Sequence, residues 1–136
     1  MSAALIRSAL ETALAAMSPA MATAYENAPF TPVNGTPYQR AYTLFADPDD
    51  AEMTGRVFWE RGIFQVNLFY PLNVGTAAAS ARIEALRDTF PRGASFENGG
   101  VTVTIRLTPS IGNAQSEPDR FMIPIRIPFS AQITRS

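Results

Sequence analysis

Near its C-terminus the chain runs RFMIPIRIPF, residues 120–129. Phe121, Ile123, Ile125, Ile127 and Phe129 occupy every second position, the spacing of a strand with one buried face. Pro124 and Pro128 both fall on the opposite parity. In an antiparallel strand, residues of one parity aim their N–H groups at the same lateral neighbour, so the two prolines delete donors on a single side. That side cannot carry a full ladder. The expectation is a strand at a sheet edge, protected against the addition of a further strand.

The rest of the chain supplies a sheet and its cover. Residues 2–17 place Ile6, Leu10, Ala13, Leu14 and Met17 at helical spacing, with Ser2 as a cap and Ser18-Pro19 as a stop. Residues 22–27 read as a short strand, and residues 40–46 as another with Tyr42 and Leu44 on one face. Residues 47–55, DPDDAEMTG, read as an acidic loop. Residues 57–70 form a long strand with Phe64, Val66, Leu68 and Tyr70 on one face and Gln65 and Asn67 on the other. Gly62 falls where a bulge or bend is expected.

A second helix over 76–90 buries Ala79, Ile83, Leu86 and Phe90. It turns Arg82, Glu84, Arg87 and Asp88 to water, with Thr76 as cap and Pro91 and Gly93 as terminators. ASFE, NGG and VTVTIRLT then spell a hairpin with Val101, Val103, Ile105 and Leu107 on one face, followed by a polar loop over 109–119. Strands that follow one another as hairpins, with no βαβ unit, predict an α+β fold. Its sheet is mostly antiparallel or mixed, its two α-helices pack on one face, and one domain spans residues 1–136.

The residue types that are missing limit the chemistry. The chain has no His, no Cys and no Lys, so all eleven of its cations are Arg. Disulfides, thiolate metal sites, Schiff bases, the phosphate-loop lysine and imidazole acid–base catalysis are therefore excluded. Arg cannot act as a base at ordinary pH, but its planar fork suits interfaces. A net charge of −1 does not suggest a free nucleic-acid binder. Arg7 and Glu11 interrupt the apolar spacing of the first helix, so it is no secretion signal. No apolar run reaches the roughly 18 residues of a membrane span. The chain is expected in the cytosol where it is made, away from membranes.

The side-chain groupings that remain favour plain readings. Asp47, Asp49, Asp50 and Glu52 lack the spacing and central glycine of a calcium loop, and a solvated loop is the simpler account. Glu26, Glu60 and Glu97 are not brought together by any pattern. Trp59, Phe58, Phe64 and Phe69 fit sheet core and interface better than a base-stacking platform, since no basic stripe accompanies them. No cofactor, metal site or catalytic residue is expected, and the chain is read as no enzyme.

The most distinctive stretch is PFTPVNGTPY, residues 29–38. Its prolines each fix φ, and Asn34-Gly35 makes a tight turn. The segment reads either as a stiff loop presenting Phe30, Val33 and Tyr38 to a partner, or as a cover packed on the core. With YENAPFTPVNGTPYQR come ERGIFQVNLFYP, a helix ending FPRGASF before GGVTV, and IPIRIPF. Across these strings the chain resembles the prophage tail-terminator-like family of small phage tail proteins, related to the lambda-type tail terminator.

The resemblance implies an α/β fold with helices on one side of a sheet. It implies a homohexameric ring on the head-proximal end of a phage tail tube, where the ring stops polymerisation and docks head-completion proteins. The partners it implies are further copies of the chain, the major tail tube protein, a head-completion or neck protein, and DNA in passage through the lumen. The expected location is the virion. Candidate contacts with neighbouring subunits or the tube are Phe30, Pro32, Pro37, Tyr38, Trp59, Arg61 and Arg92, the aromatic and Arg types that anchor interfaces. Trp59→Ala or Tyr38→Ala is expected to impair assembly more than folding. The acidic loop, Asp47, Asp49, Asp50 and Glu52, falls to the lumen or the top surface. Two other readings stand beside this one: another head–tail connector or minor tail protein, and a small soluble domain binding a ligand or peptide.

Overall fold

A computed structural model of the chain describes residues 2–18, 20–26, 28–33, 35–50, 56–73, 75–116 and 120–134. Its elements in chain order are α1 (Ser2–Ala15), β1 (Ala22–Ala24), β2 (Tyr38–Phe45), β3 (Asp49–Asp50), β4 (Val57–Pro71), α2 (Ala77–Thr89), β5 (Ser95–Asn98), β6 (Val101–Ile105), β7 (Ser110–Ile111), β8 (Gln115–Ser116) and β9 (Arg120–Thr134). The strands form one nine-stranded sheet with main order β1-β2-β4-β9-β6-β5, and β3, β7 and β8 attach beside β4 and β9. Among the described residues β1 runs parallel to β2, and every other pair is antiparallel. This is the expected α+β class with a mixed, mostly antiparallel sheet.

The period-two pattern does what it dictates. Phe64, Val66 and Leu68 on β4, and Ile125, Ile127 and Phe129 on β9, are fully buried. Ile6, Leu10 and Leu14 of α1 and Ile83 and Leu86 of α2, with Phe90 just beyond it, join the same cluster. Burying a side chain of this size contributes about 1.5–3 kcal/mol. Phe90, just after α2, lies 5.9 Å from Phe64 and 5.4 Å from Phe96 between ring centroids. The Tyr70 hydroxyl donates to the Ala78 carbonyl at 3.4 Å.

The C-terminal strand corrects an expectation in an instructive way. β9 is not at an edge. It lies between β4, with which it keeps register over fifteen residue pairs, and a row of short strands. Those short strands stand on the prolines' side. There the Pro128 carbonyl accepts from Arg106 N–H at 2.9 Å and the Pro124 carbonyl from Gly112 N–H at 2.8 Å. The prolines can accept but not donate, and the ladder on their side is broken into β6, β7 and β8, each touching β9 over two or three residues. The prolines do mark the side that cannot hold a continuous ladder, but a broken ladder still admits short neighbours, so the strand is not an edge.

Smaller corrections have local causes. No bulge occurs at Gly62, where register runs unbroken from Phe45 on one side to Phe129 on the other. Glycine fits because a Cβ there would stand 2.1 Å from the Leu44 carbonyl oxygen. Arg82, expected in water, is 5% exposed. Its guanidinium donates to the Gln39 side chain at 3.2 Å, and Gln39 donates onward to Thr23 at 2.9 Å. Thr76 precedes α2 without a side-chain capping bond. Leu107 lies past the end of β6 and is half exposed, and the polar loop over 109–119 contains β7 and β8. Asp49 and Asp50, expected in a loop, form β3. The Pro19 stop falls outside the described residues.

Candidate assembly surfaces

The proline-rich stretch is pinned, not projected. Tyr38 is 6% exposed. Its ring stacks on Phe69 with centroids 4.7 Å apart and planes 6° from parallel, and Phe30 leans on it at 5.2 Å. The Arg120 guanidinium lies 4.7 Å from the Tyr38 centroid and Arg40 lies at 5.5 Å. Arg120 is itself buried. It donates to the Thr36 carbonyl at 2.9 Å and to the Val33 carbonyl at 2.8 Å, closing the loop onto the start of β9. The cover reading therefore holds for Tyr38, and the expectation that this loop presents Tyr38 is overturned by its burial. Val33, at 65% exposed, remains the outward tip, with Pro32 exposed and Phe30 and Pro37 half-buried. Asn34 lies outside the described residues.

Trp59 sits at the far end of β4, 40% exposed. It shares a cleft of about 210 Å³ with Asp49, Arg61, Arg106 and Ser130. The Arg61 guanidinium donates to the Asp47 carbonyl at 3.1 Å, holding the acidic segment against β4. Asp49 pairs with Trp59 across the β3–β4 ladder, and Asp50 pairs with Phe58. Trp59, Arg61, Asp47 and Asp49 thus form one exposed corner. Glu52 lies outside the described residues, and Arg92 stands exposed and apart on the turn after α2.

Sequence reasoning did not find two further features. The first is a set of ionisable groups beside the β2 edge. The Glu26 carboxylate accepts the Thr43 backbone N–H and lies 3.6 Å from Arg7. Burial raises the Glu11 carboxyl above its ordinary value, with Arg7 opposing and Glu26 adding to the shift. Burial likewise raises the Tyr70 hydroxyl and lowers the Arg82 guanidinium, and each of these partly offsets the other's shift. A tyrosine held in its neutral form is no general base. Glu26 and Glu97 lie near opposite ends of the strand order, so the carboxylates named from sequence are not assembled into a pair.

The second feature is a groove of about 650 Å³ between α1 and β5, lined by Ala9, Thr12, Ala13, Ala16, Phe96 and Glu97, among others. The signal for it was present: Ala9, Ala13 and Ala16 stand three and four apart on one helix face. The helical spacing of the apolar residues assigns Ala13 to the core and leaves Ala9 and Ala16 unassigned.

The fold and its surfaces define a small α+β protein built on one mixed sheet. The chain belongs to the phage tail terminator protein family, whose model matches residues 5–129. A solved structure that carries no functional name is 31% identical, covers 100% of this chain and 99% of its own, and superposes with a TM-score of 0.79. A chain from the virion of a native gene transfer agent particle is 21% identical over 97% of this chain and 96% of its own, with a TM-score of 0.64, a likeness of fold. A comparison with curated proteins gives no match.

Proposed function

We propose that this protein is a structural component of a phage virion, the tail terminator. It closes into a homohexameric ring on the head-proximal end of the tail tube, stops tube polymerisation and offers head-completion proteins a surface to dock on. The observation that carries this reading is the family match over residues 5–129. The virion particle that holds a chain of the same fold supports it.

The chemistry agrees. Without His, Lys or Cys, the protein acts through the shape and charge of its surface and not through bond making. Ring contacts are heterologous, one patch meeting a different patch on the next copy. The Trp59–Arg61 corner, with its exposed aromatic and Arg, has the composition of an interface anchor. The acidic segment at Asp47 and Asp49 faces either the lumen, where like charge keeps passing DNA from sticking, or the top of the ring, where it opposes addition of another ring.

The test is deletion of the gene from an inducible prophage followed by electron microscopy of the lysate. Tails of uncontrolled length are the expected result. Tails of normal length without heads would instead assign the protein to the neck and overturn the terminator reading.

A further inference from the structure

We propose that the open edge of β5, together with the groove between that edge and α1, receives the end of β2 from a second copy of this chain. The inference rests on the ring reading above and names the contact that builds the ring.

The edge is defined by backbone parity. The Ala94 carbonyl accepts from Ile105 N–H at 2.8 Å, so its backbone faces β6. Phe96 and Asn98 share that parity, and the N–H and C=O groups of Ser95 and Glu97 point the other way. β5 ends the strand order, so no described strand stands on that side. Unpaired backbone groups of this kind are a template for another strand. Here the template borders a groove walled by a helix, the arrangement in which an extended segment adds to a sheet by backbone bonds while its side chains fill the groove. The wall is alanine-rich, Ala9, Ala13 and Ala16, so it leaves room for bulky side chains and supplies none.

The same chain carries the complementary half. β1 stops at Ala24 opposite Arg40, and β2 continues to Phe45 without that neighbour. The Ala46 N–H donates to the Arg61 carbonyl on β4, which fixes the parity: Thr43 and Phe45 turn their backbone groups away from β4. Glu26 takes the Thr43 N–H. The Thr43 carbonyl and both backbone groups of Phe45 remain directed outward. At this point Leu44 is 48% exposed and Phe45 is 36% exposed. An outward strand backbone therefore coincides with two large apolar side chains in solvent. The Arg7 guanidinium lies 6.0 Å from the Phe45 ring and 3.6 Å from Glu26, so charge is balanced at this end, and Glu97 is the charged residue lining the groove. The two halves lie toward opposite ends of the strand order, as a head-to-tail contact between identical chains requires.

The experiment uses the full-length chain in sedimentation velocity, with circular dichroism melts to confirm folding. Ala16→Trp fills the groove, Glu97→Pro removes an edge N–H with a substitution that edge strands tolerate, and Leu44→Glu disables the other half. All three sites are exposed. Each variant is expected to weaken self-association by at least about tenfold, roughly 1.4 kcal/mol. Ala16→Trp mixed with Leu44→Glu is expected to give one-to-one dimers, since one intact groove then meets one intact strand end. Variants that assemble like the wild type overturn the proposal and leave the ring reading standing. So does a Leu44→Glu chain that pairs with itself, which would indicate edge-to-edge contact between two β5 strands. A wild type and a mixture that both stay monomeric, alone and on tail-tube ends, overturn the contact and the ring together.

Discussion

Tyr38 and Trp59 mark opposite ends of β4, Tyr38 as the cross-strand partner of Phe69 and Trp59 within the strand. Both looked like contact residues in the sequence, and their surroundings differ. Tyr38 is enclosed by Phe30, Phe69, Arg40 and Arg120, with Arg120 also holding the loop carbonyls. Trp59 is 40% exposed, beside Asp49, Arg61 and Arg106 in an open cleft. An aromatic that has already spent its surface inside the subunit serves folding, whereas one left open is available to a partner. Proline and glycine in a loop cannot distinguish the two cases; an arginine more than eighty residues away in the chain does.

Substitutions can break this contrast or sharpen it. Tyr38→Ala should cost the most, about 3 kcal/mol of stability, because it empties a stacked and buried position. A denaturant melt of the isolated subunit reads it directly, and a loss no larger than that at Trp59 would erase the distinction. Arg120→Ala should follow at about 2 kcal/mol, the scale for removing a charged donor from two carbonyls. It should also expose residues 33–36 to proteolysis while leaving the β4–β9 ladder intact. Trp59→Ala should lower stability by less than about 1 kcal/mol, as exposed positions generally do. Its effect should appear in assembly, as tails of uncontrolled length in a complementation assay.

The smallest effect is expected at Glu11, away from both corners. Its folded carboxyl keeps its proton to higher pH than the ordinary 4.5. The folded state then binds more protons than the unfolded one, so this group's contribution to stability falls as pH rises through the range just above 4.5. Glu11→Gln should melt slightly higher than wild type at pH 7, and the gap should close once the pH drops below that range. A gap that widens on acidification would contradict the burial of this carboxyl.

Much of the architecture was legible because it follows from short-range periodicity. Phe64, Val66 and Leu68, and Ile83, Leu86 and Phe90, announced their faces through spacings of two and of three to four. The burial of Arg82 was not legible, since its partner Gln39 lies 43 residues away and the helix pattern alone assigns it to water. The central place of β9 was hidden for a related reason. Proline reports which backbone groups are absent, but only the chain elsewhere decides whether a neighbour can manage without them. Of the proposed contact residues, Trp59 and Arg61 share one corner, while Phe30, Pro32, Pro37 and Tyr38 belong to the pinned loop. The alanine wall of the β5 groove is visible in the spacing of Ala9, Ala13 and Ala16, but the outward direction of Ser95 and Glu97 that completes the groove is set by pairing with β6 and is not.

The interrupted flank of β9 has a consequence for how such chains can diverge. Residues 106–116 meet the long strand at brief stitches, with lengths outside the ladder between them, the first tied to α2 where Arg87 donates to the Pro109 carbonyl at 3.1 Å, and the full register against β4 is maintained on the opposite flank. Insertions or deletions between stitches therefore leave the rest of the sheet in place, which makes this flank the natural site for length variation among relatives and for grafting a foreign epitope.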